Sequence, residues 1–431
     1  MRRLVSTGII AAIAALAASS DALASSFAIR ENCAEGLGTV FAGAGSLADN
    51  ACTVFNNPAG MTRLEGNQFE AGATPVFGTV DFHGSLASAV PLTGYSNNNG
   101  DNAARPAMIP DLYGVYHLSP DLVAGIAVTS PFGLPIKSNS AWVGRYNVIQ
   151  AEALSVDINP NLAYKINDKL SIAGGLSAQY LTFELSTAIN QAFLGSSDAL
   201  ARFKGDNWAV GYNFGVLWSP QADTRVGLTY RSKINHKLSG DFNFLNHNPA
   251  LAGALVSGPA TAGIAHPATI GASVTHELSP KWTMALDVQY TLWSVFKGVG
   301  LSGPTPFAFN ESYVDSWFTS IGAIYHPDGE WRNWTMRGGI GWDQSPVQNG
   351  YRDPAVPDND RYMVGAGFGY KWSERTTFDF AYAHYFATHA SVTGSVNSMA
   401  GLAGVPASNT TFSGNYSLSL DYVSAGVTWK F

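Results

Sequence analysis

The chain has 431 residues, only 13% of them charged, with a formal net charge of −7 and no Lys/Arg-rich run; that balance excludes a nucleic-acid-binding role. Its mean hydropathy of +0.03 is too low for a bundle of membrane helices, and is what strands with one apolar and one polar face average to. The length would allow two ordinary domains, but it also suits one large closed sheet, whose size grows with strand number.

Residues 1–24 read as an export leader. Arg2 and Arg3 form a basic start, Leu4 to Ala18 an apolar centre shorter than the ~20 residues a spanning helix needs, and Ala22-Leu23-Ala24 a cleavage site of the small-x-small type. The following stretch, 25–66, is rich in Gly, ends in an Asn-Asn-Pro-Ala-Gly turn at Asn56 to Gly60, and mostly lacks strand alternation. A segment of this kind needs walls around it, and it is expected to plug the structure that follows. The two cysteines, Cys33 and Cys52, both fall in it. In an exported chain they are expected to form a disulfide, closing a loop worth roughly 3 kcal/mol in the chain-entropy model. Their wide spacing and the lack of nearby His argue against a metal site, and no cofactor is indicated.

From 67 to 431 a two-residue period predicts fourteen strands, at 67–82, 106–117, 121–130, 149–165, 169–187, 205–219, 224–240, 266–277, 281–300, 314–326, 332–344, 360–372, 375–392 and 416–431. Alternate connections are short, as at Asn167-Asp168 and Ser279-Pro280. The others are long and rich in Gly, Asn, Pro and Ala. That asymmetry predicts a fourteen-stranded antiparallel transmembrane β-barrel of the bacterial outer membrane, with both ends on the periplasmic side. In 205–219, Trp208, Val210, Tyr212, Phe214, Val216 and Trp218 alternate with small or polar residues. Tryptophans near the strand ends fit interfacial girdles, which favours lipid-facing apolar sides over the core of a soluble sandwich. The final strand ends in Phe431 and resembles the signal read by the outer-membrane assembly machinery. The expected surroundings are outer-membrane lipid and lipopolysaccharide, and the expected state is a monomer.

Several ordered tags carry a family resemblance: Phe27-Ala28-Ile29-Arg30-Glu31, Gly36-Leu37-Gly38, Asn57-Pro58-Ala59-Gly60-Met61, Trp142-Val143-Gly144-Arg145-Tyr146, Tyr230-Arg231-Ser232-Lys233, Trp293-Ser294-Val295-Phe296, Ser345-Pro346-Val347 and Pro357-Asp358-Asn359-Asp360-Arg361. Over the whole mature chain the sequence resembles the FadL-type outer-membrane transporters of long-chain fatty acids and other hydrophobic compounds. The resemblance implies a hatch inside the barrel and passive transport. It implies a loop groove that captures ligand, an interior pocket, and a lateral exit at a kink in the third strand.

Carried onto this chain, the groove falls on the third and fourth outer loops, at Phe193, Leu194 and Leu200 and at Leu251 and Leu255. The kink falls on Gly125, Ile126 and Ala127, with Asn57, Pro58 and Ala59 bracing the gap. Phe27 resembles the aromatic that reaches into the pocket. Thr182 and Phe309 stand where the family's best-known member has two basic residues for a fatty-acid carboxylate. Another cation is then needed, with Arg30, Arg231 and Arg337 available, or the ligand is a neutral hydrocarbon or aromatic. A polar-solute porin is disfavoured by the plug and the apolar loops. An enzyme is disfavoured because the nine His are scattered and no Ser–His pair stands out.

Overall fold

The computed structural model describes residues 26–88, 92, 98–395 and 410–431; the expected leader, 1–24, lies outside them. Among these residues fourteen strands close into one antiparallel barrel. They are β1 Gln68–Ser88, β2 Ala107–His117, β3 Leu122–Thr129 continued by Gly133–Lys137, β4 Gln150–Asn167 and β5 Leu170–Ile189. Then come β6 Ala199–Gln221, β7 Thr224–Arg231 with Ile234–Leu245, and β8 Gly258–His266 with Thr269–Ser279. The set ends with β9 Trp282–Thr291, β10 Ser316–Tyr325, β11 Trp334–Asp343, β12 Arg361–Lys371, β13 Thr376–Ala387 and β14 Thr410–Lys430. Each strand pairs with the next, and β14 closes on β1 from Gln68↔Lys430 to Ser88↔Thr410. A hairpin, Gly298–Ser302 and Phe307–Asn310, rises from the outer connection between β9 and β10.

All fourteen expected segments have a counterpart. β6 starts earlier than expected, because Ala199 and Leu200 pair with Ile189 and Ala188 of β5. They are strand residues, not loop.

The two faces separate as the period requires. Trp208 is 56% exposed, Tyr212 45% and Leu286 39%, all on the outside of the barrel. On β4, Leu154, Leu162 and Tyr164 face out, while Ser155, Asp157, Asn159 and Asn161 are buried. Aromatic pairs sit toward both ends of the wall, Trp282–Tyr325 at 4.6 Å and Tyr290–Trp317 at 4.5 Å, as an interfacial girdle demands.

Residues 26–64 fill much of the lumen and bury the polar inner face. This hatch contains short helices at Ala34–Gly38 and Thr53–Asn56 and a 3₁₀ helix at Pro58–Arg63. Cys33 and Cys52 are joined in a disulfide. Asn57 caps the 3₁₀ helix by accepting from the Ala59 amide, and Pro58 starts it with the φ it needs. Val40 and Phe41 hold φ of +52° and +60°. Such backbone costs on the order of 1–3 kcal/mol per residue and persists only where packing enforces it; both side chains are fully buried.

Wall glycines let the hatch come close. A Cβ on Gly227 would lie 1.9 Å from the Gly45 carbonyl oxygen, one on Gly339 2.0 Å from that of Thr39, and one on Gly125 2.2 Å from the Met61 sulfur.

Candidate binding pocket and wall window

The wall is interrupted beside β3. The β2–β3 ladder runs from His117↔Val123 to Leu112↔Val128 and stops; it resumes in the same register only at an isolated bridge, Ala104↔Ile136. Pro110 and Pro131 fall in the intervening stretch and have no amide to donate. On the other side of β3, the pairs Thr129↔Asp157 and Gly133↔Leu154 leave Ser130, Pro131 and Phe132 opposite only Val156 and Ser155. That is a one-residue bulge. Ser155 fixes it: its Oγ accepts from the Phe132 amide at 2.9 Å and donates to the Phe132 carbonyl at 2.8 Å.

The kink is therefore not at Gly125, Ile126 and Ala127. Those three are paired on both sides, with β2 and β4. Gly125 and Ala127 face the hatch and Ile126 faces out, 46% exposed. Gly125 is glycine because Met61 and Val54 press against it.

The vacant edge of β3 is taken by residues 27–29. The Ile29 amide donates to the Pro131 carbonyl at 2.8 Å, and the Gly133 amide to the Phe27 carbonyl at 3.0 Å, so Ala28 bridges Phe132. Just upstream, Ser26 is clamped. Its amide donates to Asp358 Oδ2 at 2.6 Å, its carbonyl accepts from Arg361 Nη2 at 3.2 Å, and its hydroxyl bonds the Tyr313 hydroxyl. Asp358 is held by Arg361 at 2.8 Å and by Ser345 Oγ at 2.7 Å. The tags Ser345-Pro346-Val347 and Pro357–Arg361 thus supply the side chains that hold the Ser26 backbone. A cavity of about 530 Å³ lies at the window. It is lined from within by Ile29, Arg361, Tyr385 and Tyr422, and at the outer side by Met108 and Leu154.

The segment bridged to β3 sends Phe27 into an aromatic cage. Its ring meets Trp293 edge-on at 4.9 Å, Phe296 at 5.3 Å, His266 at 5.9 Å and Phe132 at 6.0 Å. Beside it is an apolar pocket of about 50 Å³, bounded by Leu134, Leu181, Phe183, Ile264, Val299 and Val356 together with Glu311. With Phe27 in place this pocket has about a tenth of the volume of the window cavity. Glu311, in the outer connection before β10, is 8% exposed. Burial, with the Asp353 carboxylate second, pushes its carboxyl up to about 9.

Thr182 is absent from the lining of this pocket and lines the window cavity instead. It pairs with Leu154, a residue 52% exposed on the outer face, while its neighbours Leu181 and Phe183 point inward. An offset of one residue along a strand changes faces. Phe309 pairs with Val299 on the outer hairpin; its side chain lies outside the described residues.

The three arginines are engaged elsewhere. Arg30 lies 3.6 Å from Asp343 and over the Phe318 ring. Arg231 donates to the Phe55 carbonyl at 3.0 Å and lies 3.9 Å from Asp157. Arg337 pairs with Asp379 at 2.7 Å. Arg30 and Arg231 do border a separate cavity of about 130 Å³ between the hatch and Phe132. Asn57 is fully buried and donates to the carbonyls of Gly45, at 2.7 Å, and Val216 of β6, at 3.0 Å. Its side-chain bonds thus brace the hatch against β6 rather than spanning the β3 window. Pro58 and Ala59 are buried beside it, Ala59 against Leu217.

In the outer loops, Phe193 is 50% exposed, Leu194 is half-buried, and Leu255 is buried with Leu251 packed against its cluster. The third and fourth loops are tied through Gln191, whose side chain bonds the Asn246 carbonyl and the Asn248 amide. The tag at Trp142–Tyr146 locks the second loop to the third through Arg145 and Asp198, 2.8 Å apart.

A barrel stoppered by its own amino-terminal segment, with a greasy chamber and an interrupted wall, defines an outer-membrane transporter of hydrophobic compounds. The chain belongs to the family described as "Outer membrane protein transport protein (OMPP1/FadL/TodX)", whose model matches residues 15–431. It is 28% identical over 408 residues to the long-chain fatty acid transport protein of Escherichia coli K12, covering 85% of this chain and 89% of that protein. It is 26% identical over 402 residues to the 47 kDa outer membrane protein of Pasteurella multocida, covering 86% and 89%. Its fold is similar to that of a Pseudomonas aeruginosa FadL homologue, with a TM-score of 0.87 at 22% identity over 94% of this chain and all of the other. The members of this family are transporters and channels, not enzymes.

Proposed function

We propose that the protein carries hydrophobic small molecules across the outer membrane without an energy source, in the direction set by their concentration. A ligand is captured at the apolar outer loops around Phe193, Leu194, Leu251 and Leu255. It displaces Phe27 from its cage and leaves sideways through the β2–β3 window into lipid. The relatives' names span long-chain fatty acids and toluene, so this reading covers acyl chains and smaller aromatics. Removal of the leader at Ala24 would free the short terminus that docks on β3, and a single barrel suffices for the route.

One observation carries the reading: the segment that fills the vacant edge of β3 is the same one that puts Phe27 into the pocket. Displacing the ring and unsealing the wall are then one movement. Deleting Pro131 tests it. The deletion makes the residues between Thr129 and Gly133 equal in number to those opposite, so β3 runs straight and the window closes. Uptake of a radiolabelled hydrophobe by cells should fall to the level of cells lacking the protein, while the purified barrel still binds it. Unchanged uptake with the ladder restored would refute lateral exit. Mass spectrometry of small molecules that co-purify with the wild-type protein identifies the cargo directly.

A further inference from the structure

The pocket beside Phe27 contains one feature that a purely greasy chamber does not need. Glu311 lines it, more than nine-tenths buried, and among the described residues no hydrogen bond or ion pair engages its carboxyl. The backbone amide of Glu311 is used by the Lys297 carbonyl at 2.9 Å, which fixes the residue's position but leaves the side chain free. After burial, the second influence raising its carboxyl is Asp353, another acidic residue. Among the described cations elsewhere in the lumen, Arg30, Arg231, Arg337 and Arg361 each face a carboxylate, and the buried Arg352 donates to the carbonyls of Asp358 and Ser391 and to the side chains of Asn349 and Asn359. A buried carboxyl with no cation and an acidic neighbour is held in its neutral form. In that form it is a hydrogen-bond donor in the wall of an apolar pocket.

We propose that Glu311 is a specificity-determining residue, which makes this pocket select uncharged amphiphiles bearing an oxygen acceptor, such as long-chain alcohols, ketones and esters, and turn away free carboxylates. This deepens the transport reading above and rests on it. The Glu311 hydroxyl donates to the ligand oxygen, and the acyl or alkyl chain takes the place of the Phe27 ring among Leu181, Phe183, Ile264 and Phe296. A carboxylate head would meet the Glu311 carboxyl with no Lys or Arg among the residues lining the pocket and would lose its water, a combination that buried sites do not tolerate. An alkane would fill the pocket but leave the Glu311 donor without a partner. An alkylammonium would require Glu311 to ionise in apolar surroundings, and a buried ion pair of that kind barely offsets its own desolvation.

The test uses the full-length barrel in detergent and four probes of equal chain length: dodecanol, dodecanoate, dodecane and dodecylamine. Binding is read from the fluorescence of the tryptophans, Trp293 being in ring contact with Phe27, with partition into empty micelles subtracted. At neutral pH dodecanol should bind on the order of tenfold or more tighter than dodecanoate, and tighter than dodecane, in keeping with one buried hydrogen bond. Glu311→Leu should bring dodecanol down to the dodecane level. Glu311→Gln, which keeps a donor and cannot ionise, should preserve dodecanol binding and narrow the gap to dodecanoate.

Dodecanoate binding as tightly as dodecanol, dodecylamine binding tightest, or an unchanged preference in Glu311→Leu would each overturn the proposal while leaving hydrophobe transport standing. Failure of all four probes to bind the folded wild type would overturn the transport reading as well. The wild-type series decides the matter even where a variant fails to assemble.

Discussion

The contact between hatch and wall can be tested with a single methyl group. Gly227 sits on the inner face of β7, where a Cβ would come to 1.9 Å from the Gly45 carbonyl oxygen, 2.5 Å from its carbon and 3.0 Å from Asn57 Nδ2. Real Cβ contacts do not fall below 3.0 Å, so in Gly227→Ala the hatch backbone must retreat by at least about 1 Å. The obstacle is backbone and cannot rotate away. Retreat strains the bond from Asn57 Nδ2 to the Gly45 carbonyl, 2.7 Å long and fully buried. Overpacking costs about 1–3 kcal/mol, and a buried hydrogen-bonding group left without its partner costs about 1–3 kcal/mol more. The hatch should loosen by several kcal/mol while the β7–β8 ladder, made by backbone atoms, survives. The control is Gly263→Ala on β8, where a Cβ meets nothing within 4 Å. In planar bilayers, Gly227→Ala should conduct ions in frequent openings, and its heat-dependent shift on gels should come at a lower temperature. Gly263→Ala should match wild type in both. If Gly227→Ala were as silent as the control, the claim that glycine is there to admit the hatch would fall.

Other outcomes follow from the same coordinates. Asp358→Asn weakens the clamp on Ser26 and Arg361, so hydrogen exchange at 27–29 should rise sharply while exchange in the barrel strands stays slow; unchanged protection at Ile29 would count against the clamp. Reducing the Cys33–Cys52 bond, or replacing both with Ser, removes a constraint worth roughly 3 kcal/mol in the chain-entropy model and should make residues 34–51 the first site of protease cleavage in the folded barrel. Glu311, with its usual value near 4.5 and its folded value about 9, favours the fold in the protonated form. Its contribution is intact below pH 4.5 and is lost as the pH rises toward 9. Glu311→Gln should therefore gain on wild type by about 1.4 kcal/mol per pH unit at most across that window, read from urea unfolding in lipid vesicles. A difference that does not grow with pH would show that the group is not buried as described. Phe27→Ala empties the cage and should slow dissociation of long-chain ligands, as followed by fluorescence.

The barrel was legible because strand periodicity is local. Trp208 to Trp218 alternate in the sequence itself, and no knowledge of neighbours is needed to see two faces. The hatch was legible by contrast, as forty residues without that alternation. The position of the β3 interruption was not legible, because a bulge is a count of one strand against another. Gly125 attracted attention as a strand glycine, yet its reason is the Met61 side chain arriving from the hatch. The usable signal lay in Pro110 and Pro131, which remove donors from facing stretches of two strands. Thr182 lines the window cavity rather than the pocket beside Phe27, because parity along β5 is fixed by its ladder to β4, and Leu181 and Phe183 carry the positions facing that pocket. Glu311 left no mark in the sequence, since its isolation depends on where Arg30, Arg231 and Arg361 point after folding.

The docking of residues 27–29 on β3 has a practical corollary for anyone handling this barrel. Ser26 lies inside the bore with its amide bound to Asp358; with the leader removed at Ala24, as proposed above, an affinity tag fused ahead of Ser26 would have to be lodged within the lumen or drag this segment out. Such a fusion would yield a protein that looks folded and behaves as a permanently ajar pore. Labels and purification handles belong instead on the outer connections, and activity measured on an amino-terminally extended barrel describes a different molecule.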